Sequence, residues 1–339
     1  MDQITVASLL PTQTPEDTEI LQLIQIASKI IGGVTVLIHL WIVASVAFSK
    51  KLHSVSDVLL ASLAVSDILL GIILISASSA FFNWSAERPV WNLTVFAGSL
   101  HFVIVSYFVN SCAVVADRYF KVSRPMKYIR LVTKQTGATI VALIWGLSVG
   151  SGILMFALLQ DTLSTTTASL ERILDDDSFA HTNFIVINIT LLPLMTTIAC
   201  FTIALLHIAR KQQCKVKQEM LVLSHLRAST HHSEGNLPNT RFITNQSNSK
   251  RKTTVYFISN FSAFVLSLLP MYLTLHITVF AQVDIQVYLP LFGGFSMLAI
   301  VQWLLGTVFL AFTQKKHRQV LRGAVKAIKL KLNEGRSFL

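Results

Sequence analysis

Charge is scarce in this chain: Asp, Glu, Lys and Arg together make up 13% of its 339 residues, while 53% are hydrophobic. A soluble domain carries about a quarter charged residues, so a soluble globule is excluded and an integral membrane protein is implied. Cysteine is scarcer still. Cys112 and Cys200 lie inside apolar runs and Cys214 just past one, which leaves no disulfide framework to staple an outer domain. Acids are missing altogether from Gly235 to Val283. No cluster has the spacing of a metal site or of a nucleophile with its base, so no enzyme, metal or cofactor is expected. The adjacent pair His231 and His232 stands in a polar stretch without further ligands and reads as solvated surface. The first 20 residues lack a basic start and carry Glu16, Asp17 and Glu19. No secretory signal is therefore expected, and the first apolar span is left to direct its own insertion.

What charge there is has a pattern. A formal net charge of +11 could point to nucleic acid, but the placement argues against that partner. Seven apolar stretches divide the chain, at about 22–49, 54–82, 90–122, 134–159, 180–212, 250–281 and 285–313. Each is long enough for the ~20 residues that cross a bilayer. In alternate connections, counting their flanks, and the tail, 25 of the 28 Lys and Arg collect, whereas 11 of the 17 acids fall in the other set. Basic connections stay in the cytoplasm, so the N-terminus is expected outside and the C-terminus inside. The basic face is expected to meet anionic inner-leaflet lipid and a cytoplasmic protein.

The expected fold is an all-α membrane protein, a seven-transmembrane helix bundle. Residues 1–21 form an outer N-terminus, 22–313 the bundle and 314–339 a cytoplasmic end. The connection at about 213–249 turns polar, rich in Ser, Asn, His and Lys. It is expected to extend from the fifth helix at first and to be disordered around 229–249. From Lys315 to Leu332, Val320, Leu321, Ala324, Val325, Ile328 and Leu332 recur at helical spacing between basic residues. That pattern predicts a short amphipathic eighth helix on the inner leaflet.

The third stretch ends with uncharged residues up to Ala116, then Asp117, Arg118, Lys121 and Arg124 in close order. This places an Asp-Arg-Tyr triplet at the boundary between hydrocarbon and cytoplasm. An Arg beside its own Asp there can remain partly paired, then offer its five donors to a partner when neighbouring helices part. The triplet, followed by Pro125 and Tyr128, resembles the rhodopsin-like (class A) G-protein-coupled receptors. So do the run LASLAVSD ending at Asp67, Trp145, Pro193 with Phe201 eight residues on, and Pro270 with Phe264 before it. The resemblance implies a receptor passing an outer signal to a heterotrimeric G protein. It assigns the coupling surface to Asp117, Arg118, Tyr119, Pro125, Tyr128, Phe201 and Lys250.

There are departures from the family pattern. The outer cysteine bridge is absent at both ends, and a Phe replaces the usual Tyr at position 201. Leu268 and Ser267 replace the Trp and Cys of the sixth span. Gly306 to Leu310 occupy the place of the Asn-Pro-x-x-Tyr motif, and Lys250 stands where many relatives carry an acid that restrains the triplet Arg. The seventh span has no Lys, which excludes a retinal Schiff base. Two cations at the inner end would repel where an ion pair attracts, so ligand-independent activity is expected. The alternative is a non-signalling membrane protein that kept the receptor fold as a decoy or heteromer partner.

Asp67 is the one acid in the middle of any span, a position costly enough to imply function. In most relatives the matching Asp binds sodium. Here the first span supplies His39 where the family has Asn, so a sodium site and a His39–Asp67 pair are competing expectations. By family position, the outer half is lined by Leu100, His101, Ile104, Ile185, Ile189, Met271, Tyr272, Leu275, Ser296 and Ile300. Leu100 occupies the site of the Asp that anchors amine ligands. The resemblance thus implies an extracellular ligand that is small and apolar or lipid-like, with a peptide as rival. Sequons at Asn83 and Asn92 fall on the expected outer face and are candidate glycosylation sites. Those at Asn188, Asn245 and Asn260 fall in spans or inside. A multi-pass plasma-membrane location follows.

Overall fold

Hydrocarbon offers no water to unpaired backbone groups, so an apolar run that crosses it must satisfy its own amides, and a helix does so within one segment. The computed structural model describes residues 15–49, 52–80, 89–164 and 177–229, with scattered positions from 270 onward. Among the described residues the fold is all-α. Six helices follow in order: α1 Pro15–Phe48, α2 Val55–Ala80, α3 Pro89–Ser123, α4 Pro125–Leu131, α5 Lys134–Ser164 and α6 Asp177–Ser229. Five carry stretches long and apolar enough to cross a membrane: Gln25–Phe48, Val55–Ser76, Thr94–Ser123, Lys134–Asp161 and Phe184–Ile208. Most of the sixth and seventh expected spans, and most of the amphipathic eighth helix, lie outside the described residues.

Two boundaries differ from the sequence expectation, and a third, the continuation of the fifth span, follows it. α1 begins at Pro15, inside the segment assigned to the N-terminal tail. The second basic connection contains a helix of its own, α4, started by Pro125 at its first position, where the missing N–H would have had no partner in any case. α6 has 53 residues, about 80 Å at helical rise, against a hydrocarbon core of about 30 Å. It therefore continues through the start of the expected polar connection. At the head of α2 the Asp57 carboxylate reaches back over the helix start: the Ser54 hydroxyl and amide donate to Asp57 Oδ2 at 2.5 and 3.3 Å.

Much of the inward face of α1 is not its most apolar one. On α1, Leu23, Ile26, Ile30, Leu37 and Leu40 point outward, while Ser28, Gly32, Thr35 and His39 are buried. This suits a bilayer, where lipid tails are as apolar as Leu and helices associate through small residues that allow close approach. Two reciprocal glycine contacts do that here. A Cβ at Gly32 would lie 2.7 Å from the Gly71 carbonyl, and one at Gly71 would lie 2.9 Å from the Gly32 carbonyl. Gly98 and Gly152 repeat the arrangement between α3 and α5, at 3.2 and 3.1 Å. Between these contacts sits a core containing Leu59, Leu60, Leu63, Val103, Val105 and Phe108. Trp145 Nε1 donates to Ser62 Oγ at 3.1 Å, tying α5 to α2.

Gly71→Ala is expected to destabilise the bundle by about 1–3 kcal/mol through overpacking against backbone. Gly146→Ala, where an added Cβ meets nothing within 4 Å, serves as the control and leaves stability unchanged or slightly raised. The thermal midpoints of the detergent-solubilised proteins check this; equal midpoints would contradict the close-contact account.

Candidate functional site

α3 delivers Asp117 and Arg118 to the basic end of the bundle, and α2 and α4 meet them there. Asp117 is buried, and both carboxylate oxygens are engaged. Ser56 Oγ donates to Oδ2 at 2.6 Å and the Tyr128 hydroxyl donates to Oδ1 at 2.6 Å. Lys121, one turn along α3 from Asp117, donates to Ser56 Oγ at 3.3 Å and lies 5.5 Å from the centroid of the Tyr128 ring. One carboxylate thus joins three helices through short, charge-assisted bonds. Burial, and then the bond to Asp117, push the Tyr128 phenol up to about 12. The hydroxyl therefore keeps its proton and stays a donor across the neutral range, and the bond weakens only as pH rises from about 10 towards that value. Arg118 is half-buried and close enough to Tyr128 to act on it electrostatically.

The other residues expected at this end divide. Tyr119 packs on Phe201 with ring centroids 5.5 Å apart, linking α3 to α6 beside Pro193. Pro125 opens α4. Lys250 lies outside the described residues.

Midway along α1 and α2, His39 and Asp67 are fully buried, with Nε2 3.2 Å from Oδ2. His39 Nδ1 lies 2.8 Å from the Thr35 carbonyl. On the next face of α2, Ser66 accepts a 3.0 Å bond from Asn110 Nδ2 of α3. The Thr307 hydroxyl bears on the Asp67 carboxylate from the seventh span. Of the two expectations for Asp67, the geometry brings His39 to it.

In the outer half, His101 is buried with no hydrogen-bond partner for Nε2 among the described residues, and Leu100 and Ile104 are half-buried beside it. Ile185 and Ile189, expected to face inward, lie on the exposed side of α6, where Val186 between them turns in. What α6 presents instead is Asn188. The Tyr272 hydroxyl donates to Asn188 Oδ1, His276 Nε2 lies 3.1 Å from the same oxygen, and Phe184 meets the His276 ring edge-on at 4.7 Å. Met271, Leu275, Ser296, Ile300 and Asn83 lie outside the described residues. Asn92 sits in the first turn of α3, and the hydroxyl of its sequon partner Thr94 is buried against Trp91 and Gln160.

Sequence reading missed Ser56, Lys121, Asn188 and His276. Ser56 is 61 positions from Asp117, and no local pattern links the two. Asn188 carried a signal, a polar side chain within an apolar run five residues before Pro193, but its sequon drew attention away from it.

A family described as "7 transmembrane receptor (rhodopsin family)" matches residues 40–305. The 5-hydroxytryptamine receptor 2C of Canis lupus familiaris is 25% identical over 191 residues, 54% of this chain and 39% of that protein. The histamine H1 receptor of Bos taurus is 29% identical over 141 residues, 40% of this chain and 28% of that protein. Octopamine receptor 1 of Lymnaea stagnalis is 29% identical over 109 residues, 31% and 16% of the two lengths. The chain thus matches less than half the length of each of these relatives.

Tyr128→Phe and Ser56→Ala each remove one bond to Asp117 and are expected to cost about 1 kcal/mol. Lys127→Ala, on the exposed side of α4, leaves stability unchanged. Melting midpoints of the three variants distinguish a structural tie from a surface contact.

Proposed function

We infer that this chain, which belongs to the seven-transmembrane receptor (rhodopsin) family, is a G-protein-coupled receptor of the plasma membrane. An outer-face ligand shifts the bundle between closed and open states, and the open state engages a heterotrimeric G protein. The observation that carries this reading is the Asp117 junction. Its carboxylate is held by Ser56 from α2 and Tyr128 from α4, so a movement that separates those helices releases Asp117 and changes what Arg118 can reach. Arg118 then becomes the central contact for the partner, with Tyr119, Pro125, Tyr128 and Phe201 around it. Past Ile208 the exposed Arg210 and Lys211 of α6 extend the same face towards the G protein and anionic lipid. The basic end lies in the cytoplasm and the N-terminus outside.

The ligand is a neutral, mainly apolar molecule with one or two hydrogen-bonding groups. The relatives named above are receptors for amines, yet Leu100 gives a cationic amine no counter-charge, and an unpaired cation in an apolar site is costly. Asn188, Tyr272, His276 and the unpartnered Nε2 of His101 supply the polar contacts on this reading. Lipid-like ligands fit better than peptides.

Basal G-protein activation in membranes from cells expressing the full chain tests the proposal. Arg118→Ala is expected to reduce it at least tenfold at unchanged surface level, and Lys250→Glu to lower it by restoring an acid where many relatives carry one. If Arg118→Ala leaves output equal to that of the intact chain, the protein is a non-signalling member with a receptor fold. For the ligand, 5-hydroxytryptamine, histamine and octopamine are expected to produce no response, whereas Leu100→Asp gains measurable amine binding. A robust amine response of the unaltered chain would overturn the neutral-ligand assignment.

A further inference from the structure

The mid-membrane pair fixes its own proton count. His39 Nδ1 faces the Thr35 carbonyl at 2.8 Å; a carbonyl only accepts, so Nδ1 carries a hydrogen. Nε2 then faces Asp67 Oδ2 at 3.2 Å, an ion-pair distance, and among the described residues neither atom makes a hydrogen bond. Two lone pairs at that separation in a dry interior would repel. A proton between them removes the conflict, as imidazolium with carboxylate or as imidazole with carboxylic acid, and the pair is neutral either way.

We propose that His39 and Asp67 form a proton-binding site at the middle of the membrane, occupied by one shared proton and not by a metal cation. A buried carboxylate at this depth requires a positive partner, and the protonated pair already contains one. Binding a sodium ion would require expelling that proton from a site whose two side chains are 0 and 1% exposed. Losing the proton without replacement leaves a bare negative charge, and gaining a second leaves a bare positive one.

The surroundings do not supply a substitute. Among the described residues His39 and Asp67 are each other's only charged neighbours, with Thr35 and Thr307 as the neutral contacts. α3 presents Ser106, Tyr107 and Asn110 at this depth, none charged near neutral pH. The approach of α1 to α2 that brings the pair together is set by the Gly32 and Gly71 contact.

The proton is therefore linked to the packing of the helices. The folded pair holds one proton, while the same two groups in water hold progressively fewer as pH rises above the ordinary histidine value of about 6.5. Stability from this pair is therefore fully present between the ordinary aspartate and histidine values, about 4 to 6.5, and is lost as pH rises above that range, by up to tenfold in the equilibrium per pH unit.

The test is the thermal midpoint of the purified full chain in detergent, measured across the neutral pH range in sodium chloride and in choline chloride at equal ionic strength. The unaltered chain is expected to lose stability as pH rises and to melt identically in the two salts. Asp67→Asn removes the pH slope, and His39→Asn makes the midpoint sodium-dependent near neutral pH. Stabilisation of the unaltered chain by sodium over choline would overturn the proposal and make a metal ion the occupant; this arm needs no variant to fold. An identical pH slope in the unaltered chain and in Asp67→Asn would overturn it by placing the proton elsewhere. Since the readout is stability, failure here leaves the signalling assignment standing, and loss of Arg118-dependent signalling leaves this site standing.

Discussion

Lipid tails give two apolar helices no reason to meet, and that absence of a hydrophobic drive shapes everything else in this bundle. Helices held in hydrocarbon must gain from close backbone approach and from polar groups that have nowhere else to go. The reciprocal contacts Gly32 with Gly71 and Gly98 with Gly152 supply the first. Ser62 with Trp145, Ser66 with Asn110 and His39 with Asp67 supply the second. Large apolar side chains are left to face outward, which explains why Leu37, Leu143 and Leu147 are among the exposed residues without marking any binding surface.

α2 is where these contacts concentrate. It carries Ser56, bonded to Asp117 at the basic rim, and Asp67, beside His39 at mid-membrane. Eleven residues separate the two, three turns and about 16 Å of one straight helix. A shift of α2 along its axis relative to its neighbours therefore changes both contacts at once. The rim bonds break between neutral hydroxyls and a carboxylate that water can reach once freed. The mid-membrane contact exposes a charge pair to hydrocarbon, so it is the stiffer of the two.

How far the site could be read from sequence depends on contrast. Asp67 is the one acid in the middle of an apolar run and His39 stands where the family has Asn, and their partnership was legible as one of two outcomes. The five described spans were legible because uncharged runs longer than a bilayer is thick have few other uses. The facing of each helix was not. α6 is apolar nearly all round its membrane segment, so no periodicity marks its inward side, and Ile185 and Ile189 were assigned inward by family position while Val186 and Asn188 take that side. Likewise, nothing in one dimension distinguishes glycines in contact, such as Gly71, from Gly146, which has open space. The helix α4 was hidden because seven residues with no buried side chain leave no hydrophobic pattern to read.

The four helices α1, α2, α3 and α5 are tied by glycine contacts and by side-chain bonds between helices, whereas α6 carries the features of a helix that bends. Pro193 removes one amide from its ladder. Around that gap Thr190, Thr196, Thr197 and Thr202 return their hydroxyls to the carbonyl one turn back, each at 2.7 Å, an arrangement that loosens and bends helices. From Pro193 to Ser229 the helix runs about 54 Å, so each degree of bend at the proline moves its far end by about 1 Å by simple leverage. The same geometry leaves the segment of α6 outward from Pro193, with Asn188 against Tyr272 and His276, almost still. A small change at that cluster, in a helix jointed at Pro193 and resting on a rigid block, becomes a large displacement at the basic end.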